Sequence, residues 1–167
     1  MDLVIHTDGS RSNSGSTAWG FVVMSLMGDG SLNAFYDQRD TADRGTCNAA
    51  EYLGVDDALK WIIDNCDKGD SVRVCTDSIL VVNQVSEEWE VKASGLKGIN
   101  IHVKGLRDYC IERGISVCIE HISRDVNAAH NIVSATPRDY DAYIDNLADI
   151  YGHGCVNRDL RNELESE

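Results

Sequence analysis

The chain has 167 residues, 43% of them hydrophobic and 26% charged, as is typical of one soluble globular domain. No apolar run approaches the roughly 20 residues that a membrane-spanning helix needs, so we expect no membrane association. The net charge of −13 argues against a general nucleic-acid binder, because phosphate backbones attract basic surfaces. The negative charge does not exclude a protein that binds phosphate in one metal-loaded groove.

The first 40 residues predict three strands. Residues 3–7 form a short apolar run, and residues 18–26 are rich in β-branched and aromatic side chains. A turn at Gly28-Asp29-Gly30 leads into residues 31–39, which completes a hairpin. We expect these strands to form an antiparallel meander.

The middle of the chain changes its hydrophobic period. Apolar residues at three- and four-residue spacing predict a helix over 48–66, with Thr46 as its N-cap. Residues 71–76 alternate as a strand, and Asp77-Ser78 then begin a helix that reaches about residue 85. The strand therefore ends at a carboxylate.

The last third predicts a helix over 99–113, a strand over 115–121 and a helix over 124–135. Residues 138–167 are expected to be a C-terminal helical extension with a charged tail. Strand–helix alternation in the second half implies parallel pairing. The predicted fold class is α/β, with a mixed five-stranded sheet (three antiparallel strands, then parallel ones) and helices on both faces.

Compartment and targeting are read from two further features. The first residues lack a basic region, so we expect no secretory signal. The six cysteines have no metal-binding spacing and several lie among apolar residues, which favours reduced thiols in a cytoplasmic protein.

Three carboxylates occupy positions that packing of the hydrophobic core would not explain. Asp8 ends the first strand, Asp77 ends the fourth, and Glu51 lies among small apolar residues of the first helix. If the two strands are neighbours, their terminal carboxylates meet, and the helix can add Glu51. Clustered carboxylates are commonly neutralised by Mg²⁺ or Mn²⁺.

Four short blocks contain these carboxylates and the start of the last helix. They read Thr7-Asp8-Gly9-Ser10 with Asn13-Ser14-Gly15 and Trp19-Gly20; Thr46-Cys47-Asn48-Ala49-Ala50-Glu51-Tyr52; Thr76-Asp77-Ser78 with Val81-Val82-Asn83-Gln84; and His121-Ile122-Ser123-Arg124 with Asn127 and Ala129. In this order they resemble the type 1 ribonuclease H family, over about residues 1–135.

The resemblance implies a ribonuclease H-like catalytic domain over residues 1–137. Such an enzyme would be a sequence-nonspecific endonuclease that hydrolyses the RNA strand of RNA–DNA hybrids with two divalent ions, leaving 5′-phosphate and 3′-hydroxyl ends. Its partner would be the hybrid, and the protein is expected to be a monomer. By the same resemblance, the residues expected to contact the hybrid are Gly9, Ser10, Asn13, Thr46, Asn48 and Ser78.

The fourth block departs from the family pattern at its metal ligand. The family has Asn-x-x-Ala-Asp there, whereas this chain has Asn127-Ala128-Ala129-His130-Asn131 and so lacks the aspartate; His130 is the residue of this block that can bind a metal in its place. We expect Asp8, Glu51, Asp77 and His130 to be the catalytic and metal-binding residues. Imidazole suits Mn²⁺ better than Mg²⁺, so more activity with Mn²⁺ is expected. The competing interpretation is that His130 marks a weakened site.

Other departures concern hybrid binding. Cys47 stands where the family commonly has Asn, and residues 85–98 supply no basic protrusion. The link from His121 to Arg124 is too short for the flexible histidine loop of some members, so His121 is expected to end the strand. Arg124 is expected to brace acidic neighbours.

Two alternatives remain. A catalytically impaired, nucleic-acid-binding module would keep this fold and lose ligands, as the exchange at residue 130 allows. A proofreading-type exonuclease or an integrase-like enzyme would share the superfold, but the exonuclease motifs Asp-x-Glu and His-x-x-x-x-Asp are absent.

Overall fold

A computed structural model describes residues 1–13, 15–26, 32–41 and 45–134. The predicted turn at residues 28–30 and the predicted extension over 138–167 lie outside these ranges. The strands are β1 (Asp2–Arg11), β2 (Thr17–Leu26), β3 (Leu32–Thr41), β4 (Ser71–Thr76) and β5 (Ser116–His121). The helices are α1 (Cys47–Asn65), α2 (Ile79–Val85), α3 (Ser94–Glu112) and α4 (Ala128–Ser134), and Arg124–Val126 form a 3₁₀ turn before α4.

The strands form one mixed sheet in the order β3-β2-β1-β4-β5. The pairs β1–β2 and β2–β3 are antiparallel, and β1–β4 and β4–β5 are parallel. The predicted fold class is therefore confirmed. Because β1 is the central strand, its residues can meet side chains that come from both halves of the chain.

The two faces of β1 serve different helices, since successive side chains of a strand point to opposite faces. Leu3 and Ile5 belong to the main core, which also contains Leu59 of α1 and Val103 of α3. His6 points to the other face, where its ring contacts the first residue of α4. Helices thus cover both sides of the strand that carries Asp8.

Two glycines allow α1 to lie directly on the sheet. A Cβ atom added to Gly9 would stand 2.2 Å from the carbonyl carbon of Ala50, and one added to Gly54 would stand 2.9 Å from the carbonyl oxygen of Asp8. Any side chain at Gly9 would push the helix away. The close approach is what brings the first turns of α1 to the level of Asp8.

The structure corrects two predicted boundaries. β1 does not end near Asp8 but continues to Arg11, because its pairing with β2 runs from Leu3 to Arg11. α3 begins at Ser94 rather than at residue 99. Gly95 and Gly98 are weak helix formers and concealed this first turn from the sequence pattern.

The predicted helix over 124–135 is also wrong as a single element. A 3₁₀ turn ends at Val126, and Asn127 adopts an extended conformation (φ −81°, ψ 104°) before α4 starts. The break has a physical cause: the side chain of Asn127 donates to the Thr7 carbonyl oxygen and accepts from the Ala129 amide. In the described part of the chain, no helix is both long and apolar enough to cross a bilayer.

Candidate metal centre

Three of the predicted ligands form a compact group where β1 lies beside the C-terminal end of β4. Asp8, Asp77 and His130 each offer one ligand atom, and these atoms lie within 4.8 Å of one another. Asp8 and His130 are also in direct contact, since the Nδ1 atom of His130 is 2.9 Å from the Oδ2 atom of Asp8. The structure thus brings the His130 imidazole together with two of the predicted carboxylates.

The two aspartates meet because of the parallel pairing of β1 and β4. The last pair of this ladder joins Thr7 to Thr76, and the next residues along the two strands are Asp8 and Asp77. Asp8 still pairs with Gly20 on the other side, so the backbone of its strand is fixed by β2. Two buried strands therefore deliver two carboxylates to one point.

Glu51 lies beside this group without belonging to it. Its carboxylate is buried on α1, and the hydroxyl of Thr76 donates to its Oε2 atom at 3.5 Å. Burial is the main cause that raises the pKa of Glu51 to about 9, and the neighbouring charges of Asp8 and Asp77 raise it further. Glu51 therefore holds a proton at neutral pH unless a cation neutralises the cluster.

The pKa of the Asp8 carboxyl group is raised for similar reasons. Desolvation raises the pKa of its carboxyl group, and the charge of Asp77 adds to this effect. The hydrogen bond from His130 lowers the same pKa and so favours the ionised carboxylate. His130 therefore favours the ionised form of Asp8 even in the metal-free protein.

Arg124 is the cation in contact with the cluster among the described residues. Its Nε atom is 3.3 Å from the Oδ2 atom of Asp77, and its side chain is 69% exposed whereas that of Asp77 is 5% exposed. The expected bracing role agrees with this contact. A long exposed side chain can leave Asp77 at little cost, because solvent weakens such a pair.

The expected hybrid-contacting residues lie around the same edge. Ser10 follows Gly9 in β1, and Asn13 lies in the exposed turn after that strand. Thr46 caps α1 by accepting from the Ala49 amide, and Ser78 caps α2 by accepting from the Val81 amide. Asn48 is exposed in the first turn of α1. Gly9 itself serves the packing of α1, so only its backbone is available to a ligand.

Sequence reasoning missed two residues that build the site. His6 is buried on β1 and accepts a hydrogen bond from the backbone amide of Ala128, 2.9 Å away. Burial, with a smaller effect of the Arg73 charge, lowers the pKa of His6 to about 4, so its ring is neutral at pH 7. The sequence identified Asn127 only as part of a motif, and no local pattern predicts its hydrogen bond to the Thr7 carbonyl oxygen of β1.

The donor set fits a divalent cation of the Mn²⁺ type. Two carboxylates and an imidazole converge, and a third carboxylate nearby, that of Glu51, holds a proton because it is buried and because Asp8 and Asp77 carry negative charge. Oxygen ligands suit Mg²⁺ and Mn²⁺, whereas an imidazole is more common around transition metals. The cluster can therefore accept a cation with release of the Glu51 proton.

Comparison with known proteins gives an independent view of the chain. No protein-family model matches it. The chain is similar to the bifunctional protein Rv2228c of Mycobacterium tuberculosis, with 34% identity over 111 residues, which are 64% of this chain and 28% of that protein. The match thus spans under a third of that relative.

Solved structures extend the similarity over most of the chain. The N-terminal RNase H domain of Rv2228c has a TM-score of 0.65 at 25% identity, covering 80% of this chain and 95% of that one. LC11-RNase H1, solved in complex with an RNA/DNA hybrid, has a TM-score of 0.64 at 25% identity, covering 78% and 92%. The ribonuclease H-like fold and the resemblance to type 1 domains are confirmed.

Proposed function

Because this chain has the fold of type 1 ribonuclease H domains, we propose that it is a metal-dependent endonuclease that hydrolyses the RNA strand of RNA–DNA hybrids. The observation that carries the proposal is the convergence of Asp8, Asp77 and His130 within 4.8 Å, with Glu51 beside them. Fold alone supports many activities, so the choice of a metal-dependent hydrolase depends on this group of side chains beside the end of β4.

The proposed metal ligands are Asp8, Glu51, Asp77 and His130. Divalent cations, two per site in the full proposal, would lower the pKa of an attacking water and stabilise the negative charge on the leaving oxygen. The chain's own part is to hold these ligands rigidly. Asp8 is held by strand pairing, Asp77 directly follows Thr76, the last paired residue of β4, and Glu51 is held by the glycine-mediated contact of α1 with β1.

Arg124 has a second part in the proposal. In the metal-free protein it pairs with Asp77, and a cation at the site would compete with it for the same oxygen. The released guanidinium would then be free to contact the substrate backbone, since Arg binds phosphate through its planar fork of N–H donors. The exposure of this side chain is compatible with such an exchange.

The residues around the cluster are proposed to hold the hybrid. The hydroxyls of Thr46 and Ser78 accept from backbone amides, which leaves each O–H as a donor for a phosphate or ribose oxygen. Asn48 and Asn13 are exposed and can donate from their amides. Contacts of this kind across a minor groove read ribose 2′-hydroxyls rather than bases, so cleavage would be sequence-nonspecific.

The test is cleavage of a labelled RNA–DNA hybrid in Mn²⁺ and in Mg²⁺, with double-stranded RNA and double-stranded DNA as controls. We expect cleavage of the RNA strand in the hybrid alone, with products that carry 5′-phosphate and 3′-hydroxyl ends. Replacement Asp8→Asn should abolish it, because it removes the central carboxylate while keeping its shape. Asp64→Asn, on an exposed residue at the end of α1, is the matched control and should leave the rate unchanged.

Each other outcome has a definite meaning. Hybrid binding without cleavage in either metal would favour the catalytically impaired binding module. Cleavage that persists in Asp8→Asn would show that the cluster is not the active site. Cleavage of double-stranded DNA at a similar rate would move the assignment to another nuclease of the same superfold.

A further inference from the structure

We infer that His6 is a positioning residue for the metal centre, because its buried ring caps the helix that carries His130. The inference rests on the proposed function for its consequence, namely metal binding. It goes beyond that proposal because His6 is outside the expected ligand set and would act only through α4.

The contact has a regular geometry. The His6 Nδ1 atom accepts from the Ala128 amide at 2.9 Å, and the Asp8 Oδ2 atom meets the His130 Nδ1 atom at 2.9 Å. Each contact joins residues that are 122 apart in sequence, and His6 and Asp8 project from the same face of β1. Two contacts therefore join β1 to the start of α4. The contact of His6 with Ala128 fixes the position of His130 relative to Asp8.

The start of α4 depends on this contact. The first amides of a helix lack partners within the helix, and a buried amide without a partner costs about 1–3 kcal/mol. Here the Ala129 amide binds the Asn127 side chain and the His130 amide binds the Asn127 carbonyl oxygen. The remaining amide, that of Ala128, binds His6.

A ring nitrogen that accepts a hydrogen bond carries no proton, so the geometry also assigns a tautomer. In the folded protein the His6 ring must bear its proton on Nε2. α4 spans seven of the described residues, and most helical stability in a protein comes from tertiary contacts of this kind rather than from the helix itself. Loss of the acceptor should therefore displace His130 relative to Asp8.

The first experiment needs no substitution. Long-range ¹H–¹⁵N correlation spectra of the metal-free full chain at pH 7 report the tautomer of each histidine. We expect His6 to be in the Nε2–H form. A His6 ring protonated on Nδ1 in the folded protein would overturn the inference, whatever the variants show.

The second experiment uses a pair of substitutions of similar size. In His6→Asn the side-chain oxygen replaces Nδ1 as the acceptor, whereas His6→Leu removes the acceptor. Mn²⁺ affinity is read from the electron paramagnetic resonance of the free ion, under conditions where melting curves show the variant to be folded. We expect roughly tenfold weaker Mn²⁺ binding in His6→Leu, as is usual when support of a ligand is lost, and recovery to nearly the wild-type affinity in His6→Asn.

A third measurement separates positioning from general stability. In a His130→Ala background, His6→Leu should change Mn²⁺ affinity no further, because the ligand that His6 positions is gone. An equal loss in both backgrounds, or wild-type affinity in His6→Leu, would overturn the inference. Failure of the wild-type chain to bind Mn²⁺ would instead overturn the proposed metal site, and with it the metal role of His6. None of these readouts depends on cleavage.

Discussion

The imidazole of His130 and the carboxylate of Asp8 are 2.9 Å apart, although 122 residues separate them in the sequence. This pair joins the central strand to the last described helix. It places an imidazole nitrogen beside the carboxylates of Asp8 and Asp77. The chemistry of the site should therefore differ from that of an all-carboxylate cluster.

The exchange at residue 130 predicts a metal preference. We expect higher activity with Mn²⁺ than with Mg²⁺, since imidazole binds the softer ion better. His130→Asp should raise the Mg²⁺-supported kcat/KM by about tenfold, because it adds a hard oxygen ligand and a negative charge. The measurement is hybrid cleavage in each metal.

The matched control for this prediction is His121→Ala. His121 is exposed at the end of β5 and is assigned no part in the reaction, so the variant should keep the wild-type rate and metal preference. An unchanged Mg²⁺ rate in His130→Asp would show that residue 130 does not contact the ion.

Glu51 predicts a pH dependence of stability in the metal-free protein. Its pKa is about 9 in the folded chain against the ordinary 4.5, so the folded state binds more protons between these values. The free energy of unfolding should therefore fall as pH rises through this window. Glu51→Gln removes the titration and should stabilise the metal-free protein by roughly 2 kcal/mol or more at pH 8.

Urea denaturation at pH 5 and pH 8 measures this effect. Glu88→Gln, on an exposed residue after α2, is the control and should follow the wild type. Saturating Mn²⁺ should reverse the order, because it stabilises the protein that binds it more tightly. A Glu51→Gln variant with the pH slope of the wild type would contradict the assigned titration.

His6 predicts a slope of the opposite sign at lower pH. Its pKa is about 4 in the folded chain against the ordinary 6.5, so the unfolded chain binds more protons between these values. Stability should therefore fall as pH drops from 6.5 to 4, by up to about 3 kcal/mol from this residue. His6→Asn should lack this part of the loss while keeping the cap.

The comparison of the two proteins in urea at pH 7 and pH 4.5 isolates the histidine, since all other titrating groups are shared. Identical losses in wild type and His6→Asn would mean that His6 titrates normally in the folded chain.

Gly9 predicts a steric effect on both stability and metal binding. A Cβ atom there would stand 2.2 Å from the Ala50 carbonyl carbon and 2.3 Å from the Glu51 amide nitrogen, so Gly9→Ala must displace α1. We expect a loss of about 3 kcal/mol in the free energy of unfolding. Mn²⁺ binding should weaken as well, since Glu51 moves with the helix.

The control for Gly9→Ala is Gly98→Ala. Gly98 lies in α3, and a Cβ atom there meets nothing within 4 Å. This variant should be more stable by about 0.5–1 kcal/mol, because alanine favours the helix. Equal stability of the two variants would contradict the close packing of α1 on β1.

Much of this site follows from local sequence. Strand–helix–strand order predicts parallel pairing in the second half of the chain, and the sequence indicates that Asp8 would meet Asp77 if β1 and β4 were neighbours, which the structure shows them to be. The periodic apolar residues of α1 predict the helix that carries Glu51. The strands and the helix themselves depend on patterns within some 20 residues, which a sequence displays directly, whereas the pairing of β1 with β4 joins residues about 70 apart.

The contacts of α4 could not be predicted in the same way. His6 looks like an ordinary polar residue in an apolar strand, and Asn127 looks like a helical residue in a motif. Their roles arise from hydrogen bonds across 122 and 120 residues, which no local pattern records. The helix break at Asn127 was missed for the same reason, since the competing partner is the Thr7 carbonyl oxygen.

The proposed ligands are spread along the chain at residues 8, 51, 77 and 130, on elements that are all joined through β1 or its neighbour. A growing chain on the ribosome has the central strand long before it has the imidazole. Metal affinity should therefore rise late in synthesis, when α4 has emerged and can dock on β1. An immature chain would carry uncompensated carboxylates, and the proposed nuclease activity would be confined to chains in which α4 has been made.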